Sequence, residues 1–265
     1  MTRRHSFKRS MDSVRIAKVI ARAGLCSRRD AERWITEGRV SVNGKMLDTP
    51  AFTVGPNDRV VVDGRALPAS EEPRLFLYHK PAGLVTTVRD EKNRPTVFAH
   101  LPRGLPRVVS VGRLDINSEG LLLLTNDGGL ARYLELPATA LKRCYRMRLH
   151  GPVNTARLAR LRQGVAVDGV RYGPMEARME GPHSGSNLWL VITLKEGKNS
   201  EIRKVMEHMG LQVSRLIRTA YGPFQLGHLP PGSVVEVPSN TLEEKLPGYF
   251  AQGSRLPSEN RNWQH

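Results

Sequence analysis

The sequence predicts an α+β protein in two parts: a small helix-and-hairpin module, then a larger domain whose largely antiparallel mixed sheet is flanked by helices. Three observations lead there. Early in the chain helical spacing gives way to Asn43-Gly44, the strongest short hairpin signal. Residues 68–73, Pro-Ala-Ser-Glu-Glu-Pro, read as a hinge. Beyond it short strand patterns alternate with at least two helices, and no glycine-rich dinucleotide or P-loop fingerprint appears, which favours an antiparallel over a parallel sheet.

Taken in order, residues 1–12 are polar, basic and without periodicity, as expected of a flexible arm. Ile16, Val19, Ile20 and Ala23 recur at helical spacing and Gly24 stands where a helix stops. Ser27 and Asp30 open a second helix in the manner of a capping box; it carries Trp34 and Ile35 and ends near Gly38. Val40-Ser41-Val42 alternates into the Asn43-Gly44 turn, and residues 60–62 lead into Asp63-Gly64, a further strand and turn. This first domain is expected over residues 13–72 and the second over 73–240. In the second, strands are expected at 74–78, 121–125, 145–149 and 188–194, and helices at 130–136 and 202–209. Periodicity fades near Pro238, so 241–265 reads as a flexible tail.

Composition narrows the partners. A net charge of +16 over 265 residues implies a polyanion, with RNA, DNA and acidic membrane surfaces all qualifying. Eleven Lys or Arg against four acids fall in residues 1–40, and Arg29 and Arg33 stand one helical turn apart with Arg28 beside them, a surface suited to phosphates. No apolar run approaches the roughly 20 residues that span a bilayer, and no secretory segment is visible, so a cytoplasmic monomer is expected. Cys26 and Cys144 lie outside any paired-ligand spacing, and His79, His100, His150, His183 and His208 are scattered, so neither a zinc site nor any other metal is expected.

The chemistry concentrates in Gly112-Arg113-Leu114-Asp115-Ile116-Asn117-Ser118-Glu119-Gly120, which runs into an apolar strand and then Thr125-Asn126-Asp127-Gly128. Two glycines bracket the polar stretch and the strand would fix its position. Alone, Asp115 would read as a turn residue, and Glu119 nearby would suggest a glycosidase pair.

The loop closely resembles the signature of the RsuA and RluB branch of RNA pseudouridine synthases, in register from Gly112 to Gly128, with Ser118 where Thr is commoner. The resemblance makes Asp115 the catalytic residue and gives Arg113 the place of the base flipped out of the RNA. Two further segments follow in family order. Residues 142–149 put Tyr145 where the family's tyrosine faces the target base, and residues 196–204 put Arg203 where the family's arginine pairs with the aspartate, with Lys204 as the next ion partner and Glu201 in place of the usual Gln. Residues 15–44 resemble the small RNA-binding module named after ribosomal protein S-four, which gives Arg28, Arg29 and Arg33 an RNA-binding role.

The chemistry of such an isomerisation agrees. Uracil is detached from C1′ of its ribose, turned, and rejoined through C5, with every atom retained, so one carboxylate suffices and no cofactor is expected. Seven Lys or Arg and no acid lie in residues 136–167, which argues for RNA along that edge. The amino-terminal segment and Pro95-Thr96-Val97-Phe98 look closer to the RluB side, implying large-subunit ribosomal RNA with the small-subunit RNA as alternative. A non-catalytic RNA-binding assembly factor and a glycosylase releasing free uracil are the rivals from other classes.

Overall fold

The structure is a computed structural model that describes residues 13–181, 187–198 and 200–253. It forms two compact units: Pro73–Lys245, and the described residues through Glu72 together with those from Leu246 onward. The proposed basic arm, residues 1–12, lies outside the described residues, as do 254–265.

In the first unit β1 (Val14–Arg15) leads into α1 (Ile16–Arg22), followed by α2 (Arg28–Thr36), β2 (Val40–Val42), β3 (Lys45–Met46), β4 (Thr53–Val54), β5 (Val60–Val62) and β6 (Arg65–Ala66). Ser27 caps α2 as its spacing foretold: its hydroxyl accepts the Asp30 N–H at 3.0 Å and donates to the Asp30 carboxylate at 2.6 Å. Asn43 and Asp63 both take positive φ, 51° and 49°, each before a glycine, which is what a two-residue hairpin turn requires. The strands order as β3-β2-β5-β6. Ile16, Ile20, Ala31, Ile35, Val40 and Val62 bury a common core, leaving Arg28, Arg29 and Arg33 exposed on the far side of α2.

The second unit is built on a nine-stranded sheet. Its elements are β7 (Leu75–Lys80), β8 (Val109–Ser110), β9 (Glu119–Thr125), α3 (Gly128–Glu135), β10 (Arg143–His150), α4 (Thr155–Arg160), the hairpin β11 (Val165–Val167) and β12 (Val170–Tyr172), then β13 (Met175–Glu180), β14 (Asn187–Leu194), α5 (Glu201–His208), β15 (Gln212–Tyr221), β16 (Phe224–Gln225) and β17 (Val234–Val237). The strand order is β13-β14-β10-β15-β9-β7-β17, and every neighbouring pair is antiparallel except β15 and β9, which run parallel. Leu121, Leu122, Leu123 and Leu124 of β9 are all fully buried, as a central strand covered on both faces demands. On one face Phe76, Tyr78, Leu122, Met147, Leu190 and Ile192 meet Leu158 of α4 and Ile202, Val205 and Met206 of α5.

The carboxy-terminal expectation needs correction. Residues 239–253 are helical, as α6 (Ser239–Lys245) and α7 (Pro247–Gly253), with Leu242 and Leu246 buried. Only a few apolar positions anchor these short helices, too few for periodicity to register in a polar stretch.

Candidate active site

The sheet's register lays out the floor of a cleft of about 1610 Å³. Lys80 on β7 stands opposite Gly120 on β9, Gly120 opposite Arg218 on β15, and Arg218 opposite Tyr145 on β10. Because side chains alternate across a strand, this row faces one side. Gly120 is what lets β9 and β15 close: its φ is +100°, and a Cβ there would lie 2.3 Å from the Arg218 carbonyl oxygen.

Above this row lies the loop of residues 112–118, fixed at nearly every step. The Gly112 N–H donates to Glu135 Oε1 at 2.7 Å. Thr86 Oγ1 donates to the Leu114 carbonyl at 2.9 Å and takes the Leu114 N–H at 3.3 Å. The Gly83 N–H donates to the Ile116 carbonyl at 2.7 Å. Beneath, the fully buried Lys80 ammonium donates to the carbonyls of Ser118 at 2.8 Å, Pro81 at 3.0 Å, Asp115 at 3.2 Å and Ile116 at 3.4 Å. Burial lowers the Lys80 pKa to about 8, and the negative charges of Asp115 and Glu119 oppose that fall, so the amine stays charged at neutral pH.

Asp115, partly exposed, projects into the cleft, and its Oδ2 accepts a hydrogen bond from Ser200 Oγ at 2.8 Å. Tyr145 lines the same cleft, 9% exposed, with the Arg218 guanidinium 6.0 Å from its ring centroid. Arg218 is itself 2% exposed; its Nε donates to the Leu121 carbonyl at 2.7 Å, and its Nη2 has no hydrogen-bond partner among the described residues. Behind it Tyr221 takes a bond from Arg143 at 2.8 Å and donates to the Leu134 carbonyl at 3.0 Å. Arg113 sits exposed on the cleft wall, its guanidinium unengaged among the described residues.

Other expected site residues fall differently. Arg203 lines the cleft but does not pair with Asp115: its two Nη atoms donate to the Val213 and Asn117 carbonyls, each at 3.0 Å, so it clamps the end of the loop to β15. The ion pair is what the family resemblance implies; the backbone acceptors that Arg203 takes instead are invisible to a reading of side-chain types. Lys204, the second choice, is exposed and stands outside the cleft lining. The buried Lys80 ammonium, bonded to the Asp115 carbonyl, is coupled to Asp115 through its field.

Glu119 does not form a carboxylate pair with Asp115 in the cleft, because Arg215 holds it with two bonds of 2.9 Å. That guanidinium keeps the Glu119 carboxyl below its ordinary range. Lys80, Ser200 and Arg218 escaped the sequence reading. The signal available was a charged residue closing or interrupting an apolar strand, as in Phe76-Leu77-Tyr78-His79-Lys80 and Leu216-Ile217-Arg218. Among the described residues no cluster of His, Cys, Asp or Glu could hold a metal ion, and no helix is long and apolar enough to cross a membrane.

Residues 14–60 match the S4 domain and residues 74–208 the family of RNA pseudouridylate synthases. A protein of Rickettsia prowazekii described as an uncharacterized RNA pseudouridine synthase is 45% identical over 88% of this chain and 97% of its own length. The ribosomal large subunit pseudouridine synthase B of Pasteurella multocida is 41% identical over 94% of this chain and 72% of its own length. A crystal structure of a pseudouridylate synthase superposes with a TM-score of 0.60 at 26% identity, covering 88% of this chain and 100% of that one.

Proposed function

We propose that this chain, which belongs to the RNA pseudouridylate synthase family, isomerises one uridine of large-subunit ribosomal RNA, with Asp115 as the reacting carboxylate. The chain is a pseudouridine synthase with an S4 domain ahead of its catalytic domain. The observation that carries the residue assignment is the single carboxylate that the rigid loop presents to the cleft beside Tyr145.

In the reaction the C1′–N1 bond breaks, the uracil turns, and a C1′–C5 bond forms while the C5 proton leaves and N1 gains one. Asp115 serves this by attacking C1′, by adding to C6, or by taking the 2′-hydroxyl proton; each uses one ionised carboxylate. Tyr145 offers a ring face for the uracil and a hydroxyl that no described residue engages. Base flipping brings the uridine into reach, and the exposed Arg113 guanidinium fills the gap left in the stack. The closed floor keeps the detached base beside its ribose, so rejoining outpaces escape.

Support for the large-subunit target is the name of the Pasteurella relative, together with the amino-terminal module. The reading places the enzyme in the cytoplasm, as a monomer acting on ribosomal RNA or an assembly intermediate. Arg28, Arg29 and Arg33 hold phosphates of that RNA, while Arg203 contributes through the loop it clamps.

The test is to incubate purified protein with unmodified large- and small-subunit ribosomal RNA transcripts and to count pseudouridines by mass spectrometry. Wild type should modify one large-subunit position, and Asp115→Asn should form none. Modification confined to the small-subunit transcript would refute the target, and an active Asp115→Asn the residue assignment.

A further inference from the structure

Ser200 stands at the N-cap of α5, where a serine normally accepts a helix N–H through its hydroxyl. Here it does not. Its backbone takes the left-handed conformation, φ 51° and ψ 27°, and makes no side-chain cap. An ordinary N-cap has extended backbone, and the left-handed region is uncommon for any residue but glycine, asparagine or aspartate. The helix still starts, since the Lys204 N–H reaches the Ser200 carbonyl at 3.1 Å. The hydroxyl is turned away from the helix and onto Asp115 Oδ2 at 2.8 Å.

Resting on the assignment of Asp115 as the reacting group, we propose that Ser200 is a positioning residue that fixes which carboxylate oxygen of Asp115 meets the substrate. Asp115 has two chemically equivalent oxygens and a soft terminal torsion that exchanges them. A hydroxyl donor on Oδ2 occupies that oxygen and leaves Oδ1 the more available one. Among the described residues no other side chain bonds the carboxylate, so this contact alone sets its orientation.

The first turn of α5 thus grips the loop twice, through Ser200 on the Asp115 side chain and through Arg203 on the Asn117 carbonyl at 3.0 Å. The backbone strain at Ser200 is tolerated because a glycine, which would relax it, could not supply the donor.

Two substitutions separate the hydroxyl from the strain. Ser200→Gly removes the donor and suits the positive φ, so the protein should be at least as stable as wild type; Ser200→Ala removes the donor and keeps the strain, so stability should be lower. Both should lose kcat by the same factor, about 10-fold, with KM for the RNA transcript unchanged, because the lost contact acts on reaction geometry and not on RNA binding.

The proposal is overturned if Ser200→Gly turns over like wild type, or if the two variants lose kcat in proportion to lost stability. Asp115→Asn is run alongside. If that variant is active, the reacting group is misassigned and the idea falls with it; if it is inactive while Ser200→Gly is unimpaired, only the role of Ser200 is wrong.

Discussion

Glu201 is buried at the start of α5, 4% exposed, and its surroundings make it a pH-dependent element of the loop that carries Ser200. Burial is the main cause that lifts its pKa from 4.5 to about 7; the nearby Glu196 adds to the rise, while the Lys198 N–H, bonded to Oε2 at 3.1 Å, opposes it. The folded protein therefore holds a proton between pH 4.5 and about 7 that the unfolded chain has released. Stability falls as pH rises through that window and stays reduced above it. Glu201→Gln abolishes the titration, so its advantage over wild type should be small at pH 5 and reach about 2 kcal/mol at pH 8, measured by urea denaturation at both. An advantage that does not grow with pH would count against a protonated Glu201. At this scale the loop that carries Asp115 is legible in the sequence, since it is a contiguous motif. It could not show Lys80, which lies 35 residues before Asp115 and reaches the loop only through the pairing of β7 with β9.

Among the elements, the β9–β15 contact governs the site because Gly120 and Arg218 meet there and both lie in Tyr145's row. Gly120→Ala must push back the Arg218 carbonyl while holding an unfavourable φ of +100°. It should destabilise the fold by about 3 kcal/mol or more and reduce activity even under conditions where the protein remains folded. Thermal denaturation and a turnover assay would check this, and a variant as stable as wild type would mean that the strands separate easily. The elements readable in advance were those with strong periodicity: α2 with its cap, the Asn43-Gly44 hairpin, and the apolar run of β9. β15 was missed because Ser214, Arg215 and Arg218 interrupt its apolar pattern, each of them to serve a bond in the sheet or at the site. The hairpin of β11 and β12 carries its own signal, Asp168-Gly169 with Asp168 at φ 49°, and went unread because its flanking strands are three residues each.

For the whole molecule, the net charge of +16 makes electrostatic attraction to RNA the dominant sequence-independent contribution to binding. Replacing Arg28, Arg29 and Arg33 together by alanine should weaken RNA binding alike for target and unrelated transcripts, and should lower the slope of log affinity against log salt by roughly 2 to 3. Arg33 already shares its charge with Asp30 at 3.3 Å and Glu37 at 3.6 Å, so it should contribute least of the three. Filter binding across a salt series would measure the slope, and an unchanged slope would place the phosphate contacts elsewhere. The division near residue 72 was legible from the Pro-rich hinge, whereas the return of the chain from Leu246 to the first unit was not, because long-range association leaves no local pattern.

The one parallel seam in the sheet also sets when the enzyme comes into being. Arg218 and Leu121, bonded across it, are 97 residues apart in the chain. Bringing such remote segments together is the slow kind of folding event, since a large loop must close before any contact compensates it. A growing polypeptide that has already emerged with the Asp115 loop still lacks the Arg218 side of the cleft until β15 has been synthesised and docked. The cleft is completed late in the protein's own making, by the strand that joins its two halves.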